Sequence, residues 1–146
     1  SAVFDFVDAG LPSTVVPQDE YRRAIRPVLN KINAFGPDFL VAEAGASPLE
    51  PYNGAVVLEE LGDNIACTIL CASDPYAVVG VEQAFGLRPD LVTGPATETS
   101  AAVDLVGRLT GLQGINVIDP AMKGRFRRFL ERKLGICCPD PGRLIA

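Results

Sequence analysis

The chain has 146 residues, of which 48% are hydrophobic, and this length suits one domain with a buried core better than two ordinary domains. Its 13 basic and 18 acidic residues give a net charge of −5, which argues against a general nucleic-acid binder or a binder of anionic membranes. The sequence contains no histidine, which excludes Ser-His-Asp and Cys-His catalysis and most transition-metal sites.

Short β-rich runs alternate with amphipathic stretches along the chain. From the second run onward they begin at positions 38, 65, 90 and 114, about 25 residues apart, which is the length of a strand plus a crossover helix. The runs are continuously apolar, as in parallel strands covered on both faces. The sequence therefore predicts a doubly wound α/β fold: three layers, with a mainly parallel sheet of about five strands and helices on both faces. The predicted strands are 2–7, 38–43, 65–71, 90–93 and 114–118.

Helices are predicted between these strands from their caps and their apolar spacing. The first follows Pro17 and closes at Gly36, and Pro27 is expected to kink or divide it. Three later helices each have Ser, Thr or Asp at the start and glycine at the end. These three helices are predicted at 75–86, 100–111 and 120–135. A shorter helix is predicted before them, at 55–61. All elements form a single predicted domain, 1–136, followed by a tail, 137–146.

The four cysteines and the hydropathy pattern indicate in which cellular compartment the protein is expected. The spacing of the cysteines does not match a secreted disulfide framework or a zinc site with two C-x-x-C pairs; they are Cys67, Cys71, Cys137 and Cys138. Cys67 and Cys71 are interpreted as small buried apolar residues, and no role is assigned to the other two. No apolar run approaches the ~20 residues that a membrane span requires. A cytoplasmic protein without a membrane partner is predicted.

Polar loops follow the predicted strands, and in a parallel sheet all of them emerge at one edge, where ligands bind. Asp8 and Glu43 each end an apolar run and precede Ala-Gly, so neither is expected to cap a helix, and we interpret both as ligands of a hard cation such as Mg²⁺. Asp74 and Asp119 precede prolines at helix starts and are interpreted as caps. The cluster as a whole is also explained by ordinary caps and turns.

The turn after the predicted strand 90–93 is a second candidate site. Thr93, Thr97 and Glu98 surround a Gly-Pro pair. Hydroxyl groups in such a turn bind a phosphate or a ring, yet the same residues also form a simple bend. Both readings stay open.

Four runs of the sequence resemble a known family. They are VFDFVDAGLPST (3–14), DFLVAEAGASPLEP (38–51), ACTILCAS (66–73) and DLVTGPAT (90–97). Together they resemble the part of a dethiobiotin-synthetase-like P-loop NTPase that lies downstream of its phosphate loop, and uncharacterised proteins built around such a domain. The resemblance implies a Rossmann-like fold, a Mg²⁺ ligand at Glu43, an acid at Asp8 that ends the preceding strand, and a loop with Ser47 and Asn53 that faces the cofactor or acceptor substrate.

The chain departs from that family at its defining motif. The loop G-x-x-x-x-G-K-[ST] is absent, because the only lysines are Lys31, Lys123 and Lys133 and none follows a suitable glycine run. We therefore expect Mg²⁺ and ATP to act only in a longer protein and to bind this chain weakly. The chain begins at Ser1 and enters a strand-like run at once, so we expect the missing loop and a central strand upstream. A missing strand leaves unpaired edges, which predicts a homodimer or association with the missing N-terminal region.

Two functions follow from these observations. The first is the downstream part of a nucleotide-dependent enzyme of ligase or kinase type, inactive alone, acting on a small-molecule or nucleotide ligand. The second is a non-catalytic Rossmann-like domain for binding or assembly. A metal-independent enzyme that uses Asp8 and Glu43 as acid and base is a weaker third option.

Overall fold

The computed structural model of the chain describes residues 2–45 and 50–137 and is mostly helical (55%). No helix in these two ranges is long and apolar enough to cross a membrane. Short 3₁₀ turns lie at Phe6–Ala9, Gly62–Asn64, Pro95–Thr97 and Pro120–Met122. The larger elements, in chain order, are α1 (Gln18–Ala34), α2 (Gly54–Leu61), β1 (Ile69–Cys71), α3 (Pro75–Phe85), β2 (Leu91–Thr93), α4 (Ser100–Thr110) and α5 (Lys123–Leu134).

The predicted five-stranded, three-layer α/β fold is wrong. Among the described residues the only sheet pairs β1 with β2 in parallel, with Ile69 opposite Leu91 and Cys71 opposite Thr93. The predicted strand 114–118 contributes one isolated bridge, between Val92 and Gly114. The predicted strands 2–7 and 38–43 do not form: the first turns into the 3₁₀ segment, and the second has no strand beside it in the described ranges. A strand needs a neighbouring backbone, which β-rich composition does not supply.

The chain divides into two compact units, Ser1–Asn64 and Ile65–Ala146, called unit 1 and unit 2 below. In unit 1 the buried side chains Leu11, Tyr21 and Val56 join the 3₁₀ turn, α1 and α2 in one apolar cluster. The two helices are also joined by ion pairs from Arg22 to Glu59 and Glu60, and Arg26 adds a second pair to Glu60. The hydrogen bond from Arg26 is the main reason why the pKa of Glu60 lies below its ordinary value.

Unit 2 is built on a parallel strand-helix-strand run, β1–α3–β2, followed by α4. Successive side chains of β2 point to opposite faces, as strand geometry requires. Val92 packs with Val78 of α3 and Val106 of α4, whereas Leu91 packs with Ile115 and Phe129 of α5. The prediction of a strand covered on both faces is confirmed for β2, all of which is buried.

An ion pair fastens α5 to the start of β2. Lys133 Nζ lies 2.8 Å from Asp90 Oδ1, and the N–H of Thr68 donates to Asp90 Oδ2 at 2.8 Å. Burial acts to raise the pKa of Asp90, but these two hydrogen bonds and the charge of Lys133 hold the pKa below its ordinary value. The hydrogen bond to Asp90 in turn raises the pKa of Lys133.

We expect Asp90→Asn to destabilise unit 2 in a pH-dependent way. Folding lowers the pKa of this carboxyl, so its carboxylate stabilises the folded state at pH values above its pKa in the unfolded chain, which is about 4. The stabilisation is lost as the pH falls through the pKa of the folded state. The difference in free energy of unfolding between wild type and variant should therefore be largest near neutral pH and shrink below about pH 4. Urea unfolding across this range measures it. Asp104→Asn, at an exposed position of α4, is the control, and an equal pH-dependent difference there would contradict the assignment.

Candidate functional site

Asp8 lies in the 3₁₀ turn Phe6–Ala9 and not at the end of a strand. The N–H of Asp5 donates to Asp8 Oδ2 at 2.8 Å, and the carboxylate of Asp5 accepts from the N–H of Phe6, so that the two acids form a capping box. The expectation that Asp8 has no capping role is therefore wrong. The spacing Asp-x-x-Asp was the sequence signal for it. Its role as a metal ligand stays a prediction.

Glu43 lies at the exposed end of the extended segment 38–43. The apolar side chains before it are exposed: Phe39 by 51%, Leu40 by 45% and Val41 by 91%. The apolar run in the sequence is therefore not buried. Within residues 2–45 and 50–137, Glu43 makes no hydrogen bond and no ion pair, and no three His, Cys, Asp or Glu residues lie together as a metal site. Among the described residues, therefore, no partner occupies the Glu43 carboxylate.

Asn53 is placed by the backbone of unit 1. It precedes α2 in the left-handed conformation (φ 60°) and is buried, and its Nδ2 donates to the carbonyl oxygens of Thr14 and Val16 at 2.7 and 2.9 Å. Both donor hydrogens of the amide are used in these bonds, which gives Asn53 a structural role that the sequence analysis missed. The other candidate of this loop, Ser47, lies outside the described residues.

The turn after β2 brings Thr93 and Thr97 together in unit 2. Gly94 has φ 81°, and Thr97 is buried with its hydroxyl close to the carbonyl oxygens of Gly94 (2.9 Å) and Ile115 (3.2 Å). Glu98 is exposed, and its carbonyl accepts from Asn116 Nδ2. Thr93 differs from Thr97, because its Oγ1 is buried and has no hydrogen-bond partner in the described part of the chain.

The helix starts of unit 2 carry the caps that the sequence predicts. Asp74 Oδ1 accepts from the N–H groups of Tyr76 and Ala77, and Asp119 accepts from that of Ala121, so both predicted caps are confirmed. A hydrogen bond from Ser73 is the main cause of the lowered pKa of Asp74. An anion at the start of α3 would have to displace a like charge, which disfavours this helix end as a phosphate site.

We expect replacement by valine to change the stability differently at the two threonines of the turn. Thr97→Val removes a hydroxyl that is bonded in the core and should cost about 1 to 2 kcal/mol of unfolding free energy. Thr93→Val removes a hydroxyl that is already without a partner and should be neutral or slightly stabilising. Urea unfolding of the two variants measures the difference. A loss of stability in Thr93→Val similar to that in Thr97→Val would show that the hydroxyl of Thr93 is bonded in solution.

A cleft of about 630 Å³ in unit 2 was not predicted from the sequence. It lies between α4, the segment 112–114 and the first turn of α5. Its charged residues come from three different positions along the chain and form no motif. They are Asp104, Arg108 and Arg125.

Cys67 is partly buried and Cys71 is exposed, so the interpretation of this pair as buried apolar residues fails for Cys71. Cys137 is exposed, and Cys138 lies outside the described residues.

The chain was compared with models of known protein families, with curated proteins and with solved structures, and none of the three comparisons finds a significant match.

Proposed function

We propose that this chain is the downstream part of a nucleotide-dependent, Mg²⁺-type enzyme of ligase or kinase class, without a phosphate loop of its own and inactive alone. The observation that carries the proposal is the turn after β2. The hydroxyl of Thr93 is buried and has no partner among the described residues. It lies at the carboxyl end of a parallel strand, which is where ligands bind in α/β units. The sequence of this turn, DLVTGPAT, is one of the four runs that resemble the NTPase family.

The carboxylate of Glu43, which has no partner in the described part of the chain, supports a metal role in the same enzyme. Mg²⁺ prefers oxygen ligands and is usually held by one or two carboxylates together with substrate phosphates and water, so a site does not need three acids of the chain. Glu43 has both oxygens unused among the described residues, and Asp8 uses Oδ2 to bond the N–H of Asp5. When bound, the metal would neutralise phosphate charge, and Glu43 and Asp8 would hold it.

Calorimetry with Mg-ATP tests the proposal on two proteins. The 146-residue chain should show no tight binding, since it has no glycine-lysine loop to hold the phosphates. The natural protein, read from its full gene, should bind Mg-ATP, and Glu43→Gln should weaken that binding by about tenfold or more. Asp38→Asn, at the exposed start of the same segment, is the control and should leave the affinity unchanged. Tight binding by the chain alone, or equal affinity of Glu43→Gln and wild type, would contradict the proposal.

A non-catalytic role in assembly is the second candidate, and the outer edge of β1 favours it. No strand lies beyond β1 in the described ranges, and Ile69 and Cys71 on this strand are exposed. An uncovered apolar edge is a template for pairing with another chain. Sedimentation of the chain at micromolar concentration should then show a dimer, which Ile69→Lys converts to a monomer. A monomeric wild-type chain would remove this candidate.

A further inference from the structure

The cleft between α4 and α5 has the size of a small-molecule site. Its volume of about 630 Å³ lies within the range of ligand pockets in proteins, roughly 300 to 1,000 Å³. Val103 and Leu112 give it an apolar wall, and Ala101, Gly107 and Gly114 leave it wide because they carry small side chains or none. Such a shape accepts an organic ligand of modest size.

Two guanidinium groups from different helices line this cleft. Arg108 belongs to the last turn of α4 and Arg125 to the first turn of α5, and both are exposed. Neither forms an ion pair with any residue in the described part of the chain, although other arginines of this acidic protein do. Asp104 is the one carboxylate among the lining residues, so the formal charge of the lining is +1.

One residue of the lining also has an unused backbone donor among the described residues. Val92 donates its N–H to Gln113 O at 2.9 Å and accepts at its carbonyl from the N–H of Ile115 at 3.0 Å. In a parallel ladder the residue between such partners turns its own N–H and C=O away from the neighbouring strand. Gly114 is that residue, and no hydrogen bond of its N–H to another described residue is present. Within residues 2–45 and 50–137, the lining thus combines an unused amide donor with two arginines that form no ion pair.

We propose that this cleft binds the oxyanion end of a small ligand, either a phosphate monoester or a carboxylate. Arg108 and Arg125 pair with the anion, since the planar guanidinium group matches both kinds of oxyanion. The N–H of Gly114 donates a further hydrogen bond, and the apolar part of the ligand packs on Val103 and Leu112. A small ligand fits better than a nucleic acid, because the cleft has a volume of only about 630 Å³ and the protein has a net charge of −5. Thr93 is not among the lining residues, and this proposal does not depend on the function proposed above.

Titration of the ¹⁵N-labelled chain with inorganic phosphate, and separately with succinate, tests the cleft at constant ionic strength. Saturable shifts are expected at the amide of Gly114 and at the side-chain Nε of Arg108 and Arg125. The probe that saturates at the lower concentration identifies the kind of oxyanion, and saturation with either one supports the proposal. No saturable shift at Gly114 with both probes would overturn it.

Matched arginine variants separate a site from general charge attraction. Arg108→Gln and Arg125→Gln should each weaken binding of the better probe by about tenfold, the effect of losing one charge-assisted hydrogen bond. Arg128→Gln removes the same charge from an exposed position one turn further along α5, outside the lining, and should change the affinity by less than twofold. An equal loss in Arg128→Gln and Arg125→Gln would overturn the proposal. All three positions are exposed, and circular dichroism checks that each variant folds.

Discussion

Replacement of Gly94 by alanine is expected to lower the free energy of unfolding of unit 2 by about 3 kcal/mol or more. The residue has φ 81° and ψ −165°, a backbone conformation that is essentially restricted to glycine. A Cβ atom at this position would also lie 2.9 Å from the carbonyl oxygen of Ala72 and 3.2 Å from its nitrogen. Both of these are backbone atoms and cannot rotate away, so β1 and the turn after β2 would have to separate.

Hydrogen exchange shows whether this separation occurs. The N–H of Ala72 donates to Thr93 O, and the N–H of Ala96 donates to Ala72 O, each at 3.0 Å. Exchange of these two amides should be much faster in Gly94→Ala. The matched control is Gly86→Ala, which has φ 61° but no atom within 4 Å of an added Cβ and should cost only about 1 kcal/mol. Equal costs in the two variants would mean that the close approach of Ala72 is not present in solution.

The helices of unit 2 could be predicted from the sequence because their signals are local. Asp74 before Pro75 and Gly86 after Phe85 fix α3 within a few residues of chain, and the structure has the helix between those limits. Thr99 caps α4 by accepting from the N–H of Ala102. Caps depend on residues three or four positions away, so no knowledge of the rest of the fold is needed. Pro27, in contrast, does not divide α1, which runs from Gln18 to Ala34.

The sheet could not be predicted in this way because its partners are distant in sequence. The run 38–43 has the composition of a buried strand, but its apolar side chains are exposed, since no described strand pairs with it. The same limit applies to the candidate sites. The Thr93 hydroxyl has no partner among the described residues, and Arg108 and Arg125 line the same cleft. Both features depend on how separate elements pack, which regular spacing along the chain does not encode.

Asn53→Asp should destabilise unit 1 by about 3 kcal/mol or more at neutral pH. Aspartate has nearly the same side-chain shape as asparagine and also tolerates the left-handed backbone (φ 60°). In the wild type, Asn53 Nδ2 donates to the carbonyl oxygens of Thr14 and Val16 at 2.7 and 2.9 Å. In the variant a carboxylate oxygen would face these two carbonyl oxygens. Protonation restores one donor, so the loss should be smaller at pH 4 than at pH 7, and urea unfolding at both values measures this. Asn64→Asp, where an exposed amide donates only to Leu61 O, should cost a few tenths of a kcal/mol. A loss at Asn53 as small as at Asn64 would mean that the segment 14–16 is not held by this side chain.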